Sequence, residues 1–293
     1  MGTSGSSKGS PGNVPMVPPW VPPLPAPPAA SPAGPDETPA PETSPVEPTT
    51  GAGQPPLSTP QAVPLPIASA RRFVAARRSA GNFAKSGNER ELKRSLRHYV
   101  QKGYGGSGTA VSRFGGTVKN AGSLFSALSP SSAPSTAAPR EAVIDRAILA
   151  GRGAREVMDG IVNAVQPSNG TQDAEASRTA IKASLSELLQ RFPEADLLEL
   201  TDEQREFAIE RYVGLDVYQR FALDLGKAIQ DKAPSPTVAL RRLKEVKEYI
   251  KEAVSAAFRK LKAAGRRLSG SRVSQIVQAA LTDALSVFEH FRE

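Results

Sequence analysis

Proline is distributed so unevenly in this chain that it limits what the chain can fold into. Of 27 prolines, 20 lie in residues 1–70. Proline lacks an amide N–H and holds φ near about −65°, so a stretch this rich in it cannot run as a helix interior or a central strand. Residues 1–13, MGTSGSSKGSPGN, are small and polar, and residues 14–66 mix proline with Ala, Thr and Ser. Neither part carries enough apolar surface to offset the entropy of ordering it. The expectation for 1–70 is a disordered tail of open coil and polyproline II, spanning on the order of 50 Å as a random coil. Residues 71–293 are enough for one core.

Other residue types narrow the chemistry. There is no Cys, which removes disulfides, thiolate nucleophiles and Cys-ligated zinc, and fits a reducing compartment. The two histidines, His98 and His290, have no neighbours at metal-ligand spacing, and each reads as a surface or helix-capping residue. The apolar residues of the tail are interrupted by proline, as in VPPWVPP, so neither a secretory signal nor a membrane span is expected. A cytoplasmic location follows as the expectation. The run Lys244, Glu245, Lys247, Glu248, Lys251, Glu252 is explained by a solvated helix face. Gly103–Gly108 lacks the ending of a phosphate loop and follows no strand. The chain is expected to be no enzyme and to hold no metal or cofactor.

Beyond residue 70 the apolar residues recur at helical spacing, and nothing alternates at strand period over strand length. A short helix is expected within 67–86. Asn88 caps the next helix, with Glu89 and Glu91 in its first turn, Leu92, Leu96, Tyr99 and Val100 on its apolar face, and Gly103 at its end. Gly105–Gly108 reads as a hinge, followed by a helix over about 109–128 weakened by Gly115, Gly116 and Gly122. Residues 129–139 form a linker. Helices then follow over about 140–150 and 153–165, another after the Thr171 cap, and another after the Thr201–Gln204 capping box. Two more occupy about 237–264 and 271–291. The predicted fold is all-α: an antiparallel helical bundle over 140–293, preceded by a basic helical segment over 71–128 and the proline-rich tail.

Charge is as uneven as proline. Net charge is +8 overall, but residues 71–128 alone hold twelve basic and two acidic residues. Arg71, Arg72, Arg77, Arg78, Arg90, Lys93, Arg94, Arg97, Lys102, Arg113 and Lys119 are the candidate binding residues of this block. With interleaved Phe73, Phe83, Tyr99, Tyr104 and Phe114 they suit phosphate contacts with occasional stacking. An acidic protein partner and a merely solvated face are the competing readings. In the tail, Trp20 is the only Trp and sits among prolines, which suits docking into a partner groove; the plain alternative is a linker.

The extreme N-terminus carries one more feature. Gly2 follows Met1, so removal of Met1 exposes the Gly2 amine. An α-amine has a pKa of about 7.7–8.0, so part of it is a neutral nucleophile at physiological pH. Gly2 has no Cβ to hinder attack on an activated carboxyl, and Thr3, Ser4 and Ser6 around it are small. The pattern M-G-x-x-x-S also fits N-myristoylation, with Ser6 in place, but no basic second signal supports membrane anchoring.

Taken together, the opening MGTSGSSKGSPGNVPMVPPW, the proline-rich spacer, the segment RELKRSLRHYVQKGYGGSGTAVSRFGGTVKNAG and the helical remainder from REAVIDRAILAGRGAREVMDGIVNAVQPSNG resemble the QatB family. The resemblance extends over essentially the whole chain. It implies a four-part anti-phage defence system whose other members resemble a P-loop ATPase, a QueC-like enzyme of 7-deazaguanine chemistry and a TatD-like nuclease. It further implies an adaptor without catalytic chemistry, and Gly2 as an acceptor for the QueC-like enzyme. The alternative is a basic nucleic-acid-binding accessory protein whose tail is only a linker.

Overall fold

Three helix starts expected from the sequence, at Asn88, Thr171 and Thr201, are made in the structure by the side-chain caps predicted there. A computed structural model of the protein describes residues 71–129, 144 and 146–291. The expectations for residues 1–70 and for most of the 129–139 linker lie outside the described residues. Helix α1 spans Val74–Ser86 and is closed by Gly87 at φ 69°. Helix α2, Glu89–His98, starts where the Asn88 side chain accepts from the Arg90 amide at 2.9 Å. A π-helical turn, Tyr99–Tyr104, follows directly. Helices α3, Ser107–Arg113, and α4, Gly115–Leu128, come next. The one-turn helix α5, Arg146–Leu149, precedes α6, Ala154–Val165. Thr171 caps α7, Gln172–Arg191, and Thr201 with Gln204 boxes the start of α8, Asp202–Lys232. Ser235 and Pro236 open α9, Pro236–Ala263, and α10 runs Val273–Glu289. No strand occurs among the described residues, and the fold is all-α.

Helix α8 is the centre. At 31 residues it is about 46 Å long at the helical rise of about 1.5 Å per residue. It packs against α1, α4, α7 and α9, with α10 completing the surround against α3, α4 and α9. Six consecutive α8 residues, Tyr212 to Val217, are buried. A helix flanked on one side only buries a stripe; an uninterrupted buried run means neighbours all round.

The basic segment is part of this core. Residues 71–128 and the expected bundle 140–293 fall in a single compact unit, Pro64–Glu293. Phe73, Phe83, Leu96, Tyr99, Phe114 and Leu124 belong to the same apolar cluster as Tyr212, Phe221 and Leu281. The boundary expected between the two therefore does not divide the core, because the apolar face of α1 covers α8.

Three local expectations are corrected. The helix of 109–128 is two helices, broken at the wholly buried Phe114, whose ψ of 15° leaves helical geometry. Gly103 does not end a helix. It lies within the π-turn, and the reversal comes at Gly105 and Gly106, with φ of 82° and 105°. Gly103 is needed for another reason: a Cβ there would lie 2.4 Å from the Phe73 ring. Nor is the glycine run a hinge, since the Ser107 amide donates to Glu289 Oε2 at 3.0 Å and ties the run to the end of α10.

Candidate functional site

Some of the basic residues join helices, some pair within one helix, and several are exposed. Arg72 places its guanidinium 4.5 Å from the Phe73 ring centroid and 5.5 Å from that of Tyr104. Arg77 donates from Nε to the Asp224 carbonyl of α8 at 3.0 Å. Lys93 pairs with Glu89 at 2.8 Å and Arg94 with Glu91 at 2.9 Å, both within α2. Arg97 donates to Gln101 and to the Phe291 carbonyl, joining α2 to the residues just after α10. Arg71, Arg78, Arg90, Lys102 and Lys119 are exposed, and Arg113 is half-buried at the end of α3. The block is thus not one continuous stripe. Gly2, Thr3, Ser4, Ser6 and Trp20 lie outside the described residues.

Behind the basic segment stands a carboxylate that sequence reasoning missed. Asp224 Oδ2 accepts from the hydroxyls of Tyr99 at 3.1 Å and Tyr104 at 3.3 Å. The two rings meet edge to face at 5.1 Å, and Tyr99 stacks on Phe73 at 5.3 Å and meets Phe221 at 5.2 Å. Burial pushes the Asp224 carboxyl above its ordinary range, and the Tyr99 and Tyr104 hydroxyls with the Arg72 and Arg77 charges offset only part of this. Burial also pushes the Tyr104 phenol up to about 12. A carboxyl whose folded pKa is raised weakens the fold while ionised, so stability is gained as pH falls through that raised value. Asp224→Asn is accordingly expected to raise stability at pH 7 and to remove this gain on acidification, as read by urea unfolding at pH 5 and pH 7. A loss of stability at pH 7 would show instead that the charge contacts with Arg72 and Arg77 outweigh desolvation.

A second carboxylate is fully enclosed. Asp216, 0 % exposed, accepts from Ser177 of α7 at 2.6 Å, Thr117 of α4 at 2.5 Å and Arg220 Nε at 3.1 Å. Arg220 also reaches Asp173 at 3.4 Å. Beside them the Tyr212 hydroxyl is buried with no hydrogen-bond partner among the described residues. The signal for this site was present in the sequence: an aspartate inside the apolar stripe Tyr212, Val213, Val217, Phe221. Such a residue must find donors from neighbouring helices.

The histidines take supporting positions. His98 Nδ1 lies 3.4 Å from Ser79 Oγ, and burial together with the Lys102 charge holds its pKa below the ordinary histidine value. His290 Nδ1 donates to the Ser286 carbonyl at 2.8 Å, capping α10. Among the described residues no group of three or more His, Asp or Glu is placed to hold a metal ion, and no helix is long and apolar enough to cross a membrane.

Fold and charged groups define an all-α protein built round one long central helix, with the enclosed Asp216 and ion pairs such as Lys251–Glu187 joining neighbouring helices. Residues 105–288 match the family model described as Qat anti-phage system associated protein QatB. The chain belongs to the QatB family and is thereby a component of a Qat anti-phage system. No curated protein and no solved structure matches it. The matched stretch begins at Gly105, the left-handed residue that closes the π-turn, so α1, α2 and that turn lie outside it although they share its core.

Proposed function

We propose that this chain is the non-enzymatic adaptor of its defence system and that Gly2 accepts a group from a QueC-like enzyme. The observation that carries the reading is the family match over α3 to α10. Two residue-level facts support it. Gly2 directly follows Met1 and has no Cβ to obstruct an acylating enzyme. The enclosed carboxylate Asp216 and the half-buried Asp224 are engaged with donors from other elements of the helical body. In the proposed step the neutral Gly2 amine attacks the carbonyl carbon of an ATP-activated 7-deazaguanine carboxylate. An amide N–C bond forms, the activating group departs with its electron pair, and the amine loses a proton. Thr3, Ser4 and Ser6 would enter the enzyme with Gly2, and Trp20 would dock beside it. The P-loop ATPase and the TatD-like nuclease are the other proposed partners, and the setting is cytoplasmic.

Intact-mass analysis of the protein co-produced with its neighbouring genes tests this. The expected result is a mass increment confined to the peptide beginning at Gly2 and absent when the QueC-like gene is deleted. An unmodified Gly2 peptide from defence-competent cells overturns it. The exposed Arg78, Lys85, Arg90 and Lys102 favour a second reading, a nucleic-acid-binding accessory protein. Salt-dependent DNA binding by residues 71–293, with phage resistance unaffected by deleting residues 2–24, would select it.

A further inference from the structure

Helices α1 and α2 form an antiparallel pair whose register is set by three contacts. The Asn82 side chain donates to Glu91 Oε2 at 3.3 Å, Ser79 Oγ meets His98 Nδ1 at 3.4 Å, and Ser95 Oγ donates to the Ala76 carbonyl at 3.1 Å. That register sets Lys85 level with Arg90, Arg78 with Arg94, and Arg71 with Lys102. The cations thus stand in three rungs, and all but the half-buried Arg94 are exposed. From Lys85 to Arg71 the rungs span roughly 20 Å at a rise of about 1.5 Å per residue, and packed helix axes lie about 8–10 Å apart. Lys232, exposed at the end of α8, lies beside α1 between Arg78 and Lys85: a Cβ at Gly81 would be 3.1 Å from its Cγ.

Carboxylates do not balance this face. Residues 71–104 hold ten Lys and Arg against two Glu. Glu89 is engaged with Lys93 at 2.8 Å and Glu91 with Arg94 at 2.9 Å. From α8, Asp224 is half-buried against the Tyr99 and Tyr104 hydroxyls, and Asp231 stands about 100° round the helix from Lys232. His98 registers the excess: after burial itself, the Lys102, Arg97 and Arg94 charges act to hold its pKa low.

Two observations choose among anionic partners. A protein surface binds through apolar or aromatic anchors at the centre of the contact. Among the described residues the one large apolar side chain exposed on α1 or α2 is Val74, near the Arg71 end. Phosphate contacts need no such anchor. Single strands need open aromatic faces on which their bases stack. Phe73, Phe83, Tyr99 and Phe114, the stacking candidates of the basic block, are at most 4 % exposed, and the half-buried Tyr104 bonds to Asp224. A duplex keeps its bases stacked on one another and offers its phosphates outward. We propose that the outer face of α1 and α2 binds double-stranded nucleic acid through the phosphates, without reading sequence. The proposal rests on the second reading above, to which it adds the surface and the mode of contact, and it does not depend on the fate of Gly2.

The test titrates the full chain against fluorescent duplexes of about 20 base pairs, DNA of two unrelated sequences and RNA, beside a single strand, over about 50–200 mM salt. The DNA and RNA arms identify which duplex supplies the phosphates. A duplex is expected to bind about fivefold or more tighter than the single strand, and the two DNA sequences within about threefold of each other. Arg78→Glu/Lys85→Glu/Arg90→Glu, three exposed changes, should weaken duplex binding by about thirtyfold or more. The milder Arg78→Ala/Arg90→Ala should reduce the salt slope by about 2. Arg266→Glu/Arg267→Glu, exposed between α9 and α10, should change affinity by no more than about threefold, which separates the face from net charge. Duplex binding indifferent to the triple variant, or lost equally in the Arg266/Arg267 variant, overturns the surface assignment while the nucleic-acid reading stands. Tighter binding of the single strand, or strong preference for one sequence, overturns the mode. If the wild-type chain binds no nucleic acid, the nucleic-acid reading fails and this proposal with it, and the adaptor reading is untouched.

Discussion

Asp216→Ala is expected to lower the stability of the folded protein by about 3 kcal/mol, the lower part of the range of about 3–5 kcal/mol for breaking a buried ion pair from one side. The carboxylate is wholly enclosed and accepts from three helices' worth of donors: Thr117 on α4, Ser177 on α7 and Arg220 on α8 itself. Truncation leaves two buried hydroxyls and a guanidinium facing a void. Arg220 limits the damage, because its side chain is 15 % exposed and keeps Asp173 within 3.4 Å. Asp216→Asn should cost less. The amide preserves the volume and one acceptor oxygen, and a hydroxyl can turn to accept from its NH₂. Urea unfolding followed by circular dichroism, with thermal midpoints, separates the cases. In a domain of this size about 3 kcal/mol corresponds to a fall of roughly 6–12 °C. A change under about 1 kcal/mol for the alanine variant would mean that the cluster contributes little to holding α4 and α7 on α8.

The second large effect concerns a boundary. Deleting residues 71–104 while retaining the stretch that matches the family model should leave a chain without a cooperative fold. That deletion removes α1, α2 and the π-turn, and uncovers α8 where α1 runs beside it. Phe221, Leu225 and Ile229 on that stretch are at most 1 % exposed. Returning each to water costs about 1.5–3 kcal/mol, so the three together approach the roughly 5–15 kcal/mol that stabilises a whole domain. A broad thermal transition and early elution on size exclusion are the expected observations. A truncated protein that unfolds sharply at the full-length midpoint would show that α1 and α2 are an appendage.

What could be read in advance divides along physical lines. Caps were legible because they are local: Asn88, Thr171 and the Thr201–Gln204 box each satisfy amides within the next three residues. Apolar stripes at helical spacing likewise placed α7, α8 and α9. What escaped reading depends on residues far apart in the chain. The break at Phe114 is set by a buried ring that local propensity does not register. Arg77 looks like a free surface cation until α8 arrives 147 residues later to accept its hydrogen bond. Asp216 and Asp224 acquire their roles from partners 99 and 125 residues away. The candidate site suffered most, since a basic block counted along the chain cannot distinguish cations that bind a neighbouring helix from those that face solvent.

The π-turn at Tyr99–Tyr104 has a consequence for changes in length. In an α-helix, residues five apart point about 140° from each other, whereas a turn bonded i to i+5 winds more widely and brings their directions closer together. The wider winding is what lets Tyr99 and Tyr104 grip one oxygen of Asp224 together. Losing a single residue from this segment would rewind it as an ordinary helix, swing one ring off the carboxylate and rotate everything upstream against α8. The segment therefore constrains its length as well as the residue at Gly103.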